Sequence, residues 1–267
     1  MCIILTCEMD KRPTFDLIQT CFITNGDGAG LMWCEDGMVQ TAKGFMDEYS
    51  LYEAIEDIPT DTPLAIHMRI ATSGGISVGT CHPFPVCHDL EALHAPYVEC
   101  DAALMHNGVI RDIVTNDALG ISDTVFFTAT TVCDLYRHYG AVTSAMKRRM
   151  RKEAPSNRFA ILTSDGTLSR IGDGWETVTD GIHASNGSWR FDYRWYRYTS
   201  HTSTSRWYDW YDMDDDMDDD MDTDAPSLAL LDVMDRWCGD CFYRRECERR
   251  GPQCFDVDDD DLEGVLI

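Results

Sequence analysis

The sequence predicts an α+β protein that is rich in short β-strands and contains a few helices. Three observations predict it: short apolar or alternating segments, Asp-Gly turns between such segments, and stretches in which apolar residues recur at helical spacing. With 267 residues the chain has room for one large domain or two modest ones.

The strands are predicted from apolar runs and from period-two alternation. Asp-Gly pairs tolerate the positive φ of tight turns, so hairpins are expected around Asp36-Gly37 and Asp165-Gly166. Trp189, Phe191, Tyr193 and Trp195 alternate with charged residues, as in a half-buried strand. The predicted strands are residues 2–7, 18–24, 64–70, 102–105, 158–164, 168–172 and 189–195.

Helices are predicted at residues 48–57, 122–138 and 141–152. In the first, Leu51, Ile55 and Ile58 share one face. The second begins with Ser122 as its N-cap and has an acidic residue in its first turn.

The charge of the chain excludes some classes of function. The 22 Lys and Arg residues against 47 Asp and Glu residues give a net charge of -25. Proteins that follow a phosphate backbone need a positive surface, so no nucleic-acid partner is expected, and a polybasic membrane anchor is unexpected for the same reason.

The acidic excess is concentrated near the end of the sequence. Residues 201–267 hold 21 acidic and 6 basic residues. We expect residues 1–200 to form one domain, residues 201–226 to be an acidic disordered linker, and residues 227–267 to be a Cys-rich acidic tail.

The opening residues do not have the pattern of an export signal. They are apolar but lack a basic leader and soon meet charged residues. No segment approaches the ~18 apolar residues that a membrane-spanning helix requires. Eight cysteines between Cys2 and Cys133 are scattered singly, which is typical of reduced thiols. A cytoplasmic protein with no membrane partner is expected.

Cys2 follows Met1 directly, and initiator methionine is removed before small residues. The mature chain would then begin with a thiol beside a free α-amine, whose pKa of ~7.7–8.0 suits a general base. Such a pair is a known source of covalent acyl chemistry. The alternative is a buried structural cysteine.

Five segments occur in one order after Cys2, and together they resemble the class II glutamine amidotransferases of the stand-alone glutaminase type. The family pattern is a cysteine after Met, an N-x-D-G-x-G turn, an H-x-R-x-A-T-x-G segment, an H-P pair, an H-N-G turn and an S-D-T-like segment. The matching residues are Asn25–Gly30, His67–Gly74, His82-Pro83, His106–Gly108 and Ser122–Thr124.

The resemblance implies the N-terminal-nucleophile fold, a four-layer αββα sandwich of two antiparallel sheets. It also implies that Cys2 attacks the side-chain amide of L-glutamine, while Asn107 and the Gly108 N–H form the oxyanion hole. No cofactor is expected for this hydrolysis. Considered alone, Asn107-Gly108 is also an ordinary turn signal.

The resemblance further assigns glutamine binding to three residues. Arg69 would hold the α-carboxylate and Asp123 the α-ammonium, and Thr72 belongs to the same segment as Arg69. The alternatives are that Arg69 pairs with a surface carboxylate and that Asp123 merely caps a helix. Ile70 and Ser73 depart from the residues common in the family.

The other motif residues have structural interpretations. Gly28 and Gly30 are expected to shape a turn that lets another backbone approach Cys2. His82 and His106 are interpreted as structural, because the nucleophile of this family needs no histidine base.

Four further cysteines are clustered in the tail. One C-x2-C pair with two more thiols matches a four-thiolate zinc site, and an iron–sulfur cluster takes the same ligands. The third interpretation is a group of unpaired reduced thiols. The residues are Cys238, Cys241, Cys247 and Cys254.

The functional expectation is a glutaminase that supplies ammonia to a synthase on a separate chain. Residues 201–267 are too few for a synthase domain, and their negative charge favours docking to a basic surface. The alternative is a non-catalytic, glutamine-sensing or scaffold subunit that acts through its acidic tail.

Overall fold

The computed structural model describes residues 2–70, 77–111, 113, 115, 116 and 120–191. These residues form an α+β fold of two antiparallel sheets with a few helices. The predicted class is therefore confirmed at this level. The predicted linker and tail, residues 201–226 and 227–267, lie outside the described residues.

The first sheet has seven strands, all paired antiparallel. β1, which follows Cys2 directly, lies near its centre and pairs with β11 on one side and β4 on the other. In sheet order the strands, numbered along the chain, are β10 (Glu176–Thr179), β11 (Ile182–Ala184), β1 (Ile3–Cys7), β4 (Leu64–Met68), β2 (Ala29–Glu35), β3 (Met38–Phe45) and β6 (Tyr97–Cys100).

The second sheet has four antiparallel strands, with β7 and β8 at its centre. β7 runs through His106 and Asn107, so the strand predicted at 102–105 is longer than expected. The strands are β5 (Phe84–Pro85), β7 (Ala102–Asn107), β8 (Arg158–Thr163) and β9 (Leu168–Ile171).

Apolar side chains join the two sheets face to face. Ile4 and Ala65 of the first sheet pack with Ala103 and Met105 of the second in one buried cluster. Burial of this apolar surface is the main force that holds the sheets together, at about 25 cal/mol per Å².

Helices cover both outer sides of the paired sheets. α1 (Phe15–Thr24) contacts α2 (Glu48–Asp57), and α2 contacts β2 and β3 of the first sheet. On the other side, Phe127 and Met146 pack in one cluster with Leu104 of the second sheet. The described residues thus form helix, sheet, sheet and helix layers.

The helix predicted at 122–138 is continuous from Asp123 to Tyr139. It comprises α4 (Asp123–Phe127), a π-helical stretch (Thr128–Val132) and α5 (Cys133–Tyr139). Ser122 is its N-cap, as predicted, because the Ser122 side chain accepts the Val125 N–H. In the described part of the chain the remaining α-helices are α3 (Leu90–His94) and α6 (Ser144–Glu153), and α6 is close to the predicted 141–152.

The strand predicted at 18–24 is wrong, since these residues belong to α1. The Thr14 side chain accepts the Leu17 N–H and caps the helix. Ile18, Cys21 and Phe22 then bury one helical face. Burial of that face outweighs the β-propensity of Ile, Phe and Thr.

The alternating segment at 189–195 is also not a strand where the structure describes it. Gly187–Arg190 forms a 3₁₀ turn, because the Asn186 side chain accepts the Ser188 N–H and starts a helical turn. Trp189 and Arg190 both bond to Glu176, at 3.1 and 3.0 Å. Residues 192–195 lie outside the described part of the chain.

Candidate active site

The alternation of β-strand side chains brings three of the predicted site residues onto facing surfaces. Ile4 faces the second sheet, and successive side chains point to opposite faces, so Cys2 faces it too. In the β1–β4 register Ile3 pairs with Met68, which places Cys2 opposite Arg69. Asn107 ends β7, whose Ala103 and Met105 face the first sheet, and so points back towards it.

The thiol of Cys2 is half-buried and contacts the backbone beside Arg69. Its Sγ lies 3.4 Å from Ile70 N and 3.5 Å from Ile70 O. Burial raises the pKa of Cys2, and the nearby charge of Arg69 opposes that rise. Asn186 holds the backbone of Cys2 by donating to its carbonyl oxygen at 2.7 Å. The nucleophile candidate is thus a protonated thiol at rest.

Arg69 presents a buried cation next to this thiol. Only 7% of Arg69 is exposed, and its Nη1 donates to Thr80 Oγ1 at 2.8 Å. Its backbone pairs with the turn before β2, donating to Gly28 O and accepting the Asp27 N–H. The alternative interpretation as a surface ion-pair partner is wrong, because the side chain is buried.

Lys43 supports the segment that contacts Arg69, and sequence reasoning missed it. Its Nζ donates to the carbonyl oxygens of Leu93 at 2.6 Å and Gly79 at 3.3 Å. It also lies 4.4 Å from the centre of the Phe84 ring. Burial lowers the pKa of Lys43 to about 7. The available signal was that this lysine is the single charged residue of β3.

Asn107 and Gly108 lie where β7 ends. Asn107 is 1% exposed, and its Nδ2 lies 2.8 Å from Ser185 Oγ, while its Oδ1 has no partner among the described residues. Gly108 has φ of +147°, and an added Cβ would overlap Asn157 Oδ1. Only glycine fits there, so this segment is more constrained than an ordinary turn.

Asp123 ties this turn to the helix that follows it. One carboxylate oxygen accepts the Ile110 N–H at 2.7 Å, and the other accepts the Thr124 N–H at 2.7 Å. Ser122, rather than Asp123, is the N-cap. The half-buried carboxylate therefore lies beside the Asn107–Gly108 turn and retains lone pairs for a further donor.

Three buried histidines lie behind this site. The rings of His67 and His82 are 4.1 Å apart, and His67 Nε2 bonds to the carbonyl oxygen of His106 at 3.1 Å. His106 itself bonds to Thr124 Oγ1 and Asn157 Oδ1, both at 2.7 Å. Burial lowers the pKa of all three, that of His67 to about 3. The structural interpretation of His82 and His106 agrees with these contacts.

The buried histidines predict a loss of stability in acid. His67 has a pKa of about 3 when folded and an ordinary value of 6.5, so between these values the unfolded chain binds more protons. The free energy of unfolding therefore decreases as the pH is lowered, by up to ~1.4 kcal/mol per pH unit for each such histidine. Urea unfolding at pH 7, 6 and 5 measures this slope.

A matched variant isolates the share of one histidine. His67→Gln keeps a donor for the His106 carbonyl but does not titrate, so its stability should fall less steeply between pH 7 and 5. An unchanged slope in the variant would contradict the assignment.

Gly28 and Gly30 lie close to the Cys81-His82 segment. A Cβ on Gly28 would lie 2.6 Å from Cys81 Sγ, and a Cβ on Gly30 would overlap the carbonyl oxygen of His82. Gly28 O also accepts the N–H of Arg69, the residue opposite Cys2. The glycines thus admit the Cys81-His82 segment, and the expectation that they let another backbone approach Cys2 stays a prediction.

Some predicted residues lie outside the described part of the chain: Thr72 and the tail cysteines Cys238, Cys241, Cys247 and Cys254. Among the described residues, no three His, Cys, Asp or Glu side chains form a metal-ligand group. The eight cysteines from Cys2 to Cys133 are free thiols. None of the described helices has the length and apolar character needed to cross a bilayer.

No protein-family model matches the chain, and no curated protein matches it. Among solved structures, it is similar to the glutamine phosphoribosylpyrophosphate (PRPP) amidotransferase from B. subtilis complexed with ADP and GMP, with a TM-score of 0.43 and 15% sequence identity. The similarity covers 69% of this chain and 42% of that chain. By itself, a similarity of this size establishes neither a common fold nor a common activity.

Proposed function

We propose that the protein is a class II, N-terminal-nucleophile glutamine amidotransferase that hydrolyses the side-chain amide of L-glutamine. One observation carries the proposal: the Cys2 thiol lies opposite the buried Arg69, on the surface that the Asn107 side chain faces. These groups are a nucleophile, a carboxylate anchor and a hydrogen-bond donor for a developing oxyanion.

The reaction begins when the free α-amine of Cys2, exposed by removal of Met1, accepts the thiol proton. The thiolate attacks the amide carbon, and Asn107 and the Gly108 N–H stabilise the oxyanion. Ammonia leaves with the proton, and water hydrolyses the thioester to give glutamate. Burial raises the pKa of Cys2, so little thiolate is present at rest, which supports a role for this internal base.

Selective labelling tests the proposal. An electrophilic ketone analogue of glutamine should modify Cys2 and should be blocked by excess glutamine. Cys81 is the internal control, because it is also close to Arg69 but is fully buried, with its pKa raised to about 11. Protein that retains Met1, identified by intact mass, should react slowly. Failure to hydrolyse glutamine, or labelling of another cysteine instead, would overturn the proposal.

The substrate pocket gives a prediction for Arg69. Arg69→Ala should raise KM for glutamine roughly 10- to 100-fold, since it removes a charge-assisted hydrogen bond to the α-carboxylate. Initial-rate kinetics measure the change. Arg149→Ala, which removes an exposed arginine paired with Glu153, is the control and should leave KM unchanged. An unchanged KM in Arg69→Ala would place the carboxylate elsewhere.

Free ammonia is largely protonated near neutral pH, so ammonia that is to react as a nucleophile is best delivered directly to an acceptor site. We propose that this acceptor site belongs to a synthase on another chain. Residues 201–267, with 21 acidic and 6 basic residues, would dock to its basic surface. The affinity of the protein for this synthase should decrease as the salt concentration rises. Replacement of aspartates by asparagine within residues 212–224 should reduce that salt dependence. Salt-independent binding would contradict this mode of docking.

A further inference from the structure

Ser185 connects the strand that follows Cys2 to the proposed oxyanion donor. It comes directly after β11 and is fully buried. Its backbone N–H donates to Ile4 O at 2.9 Å, and its Oγ accepts the Ile4 N–H at 2.8 Å. The same Oγ lies 2.8 Å from the amide of Asn107. One hydroxyl therefore contacts both halves of the proposed site.

The hydrogen-bonding capacity of these groups favours one orientation of the Asn107 amide. With Nδ2 towards Ser185, Oδ1 is a buried acceptor without a partner among the described residues. Rotation of the amide by 180° places Oδ1 at 2.8 Å from the hydroxyl, which already accepts the Ile4 N–H and has one proton to donate. The hydroxyl proton and Oδ1 then satisfy each other.

This rotation has a consequence for catalysis. Nδ2 moves to the buried position on the side of the amide away from Ser185, where the described residues provide no hydrogen-bond partner. A donor in that place can bond to an oxygen of the substrate. A serine that could not donate would leave the amide free to present its oxygen, which would repel an oxyanion.

We propose that Ser185 is a positioning residue for the oxyanion hole: its hydroxyl donates to Asn107 Oδ1 and directs the amide nitrogen towards the reacting carbonyl oxygen. Because Ser185 also bonds to Ile4, it sets the position of this donor relative to the strand that begins beside Cys2. The inference rests on the proposed glutamine hydrolysis.

A comparison of variants of the full chain tests the role. Ser185→Ala should lower kcat for glutamine hydrolysis roughly 10-fold, a fraction of the ~10²–10³-fold cost of losing an oxyanion donor, with KM changed less than about twofold. Ser185→Cys, assayed under reducing conditions, keeps a weak donor on a somewhat larger atom and should be intermediate. Ser169→Ala, another buried serine, is the control and should retain full kcat.

A double-mutant cycle separates positioning from general support of the fold. In an Asn107→Ala background, Ser185→Ala should cause no further loss of kcat, because there is no amide left to orient. Additive losses, an effect on KM alone, or full kcat in both Ser185 variants would overturn the inference while wild-type hydrolysis upholds the proposed function. A wild-type protein that does not hydrolyse glutamine would overturn both.

Discussion

Replacing Cys2 with alanine is expected to lower kcat for glutamine hydrolysis by at least about 10⁴-fold, since loss of a covalent nucleophile costs up to ~10⁶-fold in a well-studied hydrolase. The fold should remain, because Cys2 precedes β1 and is only half-buried. Ammonia release measured with purified protein, together with thermal unfolding, checks both expectations.

Cys21→Ala is the matched control for this variant. Cys21 is a buried free thiol in α1, and burial raises its pKa to about 12. Its replacement should reduce stability modestly but leave kcat unchanged. Full activity in Cys2→Ala, or loss of activity in Cys21→Ala without unfolding, would contradict the assignment of the nucleophile.

The second largest effect is expected at Asn107. Asn107→Ala should lower kcat by ~10²–10³-fold and leave KM nearly unchanged, because the donor acts on charge that develops only in the transition state. The γ-aldehyde of glutamate forms a tetrahedral adduct with a thiol. The kcat from steady-state kinetics and the affinity for this aldehyde should decrease together.

Asn107→Asp provides the sharper comparison, since it keeps the shape of the side chain but replaces the donor nitrogen by oxygen. It should be at least as impaired as Asn107→Ala. A raised KM with unchanged kcat in either variant would show that Asn107 binds ground-state substrate instead. Gly108 is a poor target, because a side chain there overlaps Asn157.

Local chemistry made several elements predictable from sequence. The β2–β3 hairpin turns at Asp36 and Gly37, both with positive φ, as an Asp-Gly pair favours. Ser122 caps its helix because a serine before a periodic apolar segment satisfies a free N–H. In these cases the residues that interact are within a few positions of each other.

Other elements were not predictable from local pattern. Ile18, Phe22 and Thr24 are strand-forming residues, yet they lie in α1, where burial of one helical face decides the outcome. The short β10 and β11 were also not predicted, although β11 provides the edge along which β1 pairs. Strands of three or four residues give too little periodicity to be recognised.

For the site, the sequence by itself determined which reactive groups are present and their order along the chain: the Cys2 thiol, the Arg69 guanidinium and the Asn107 amide. Tertiary structure decided that Cys2 lies opposite Arg69 and that Asn107 points towards their sheet. It also recruited Thr80 and Ser185, which no motif had indicated. The physical reason is that contacts such as Ile4 with Ser185 join residues 181 positions apart. Only the packing of whole sheets brings such residues within hydrogen-bonding distance.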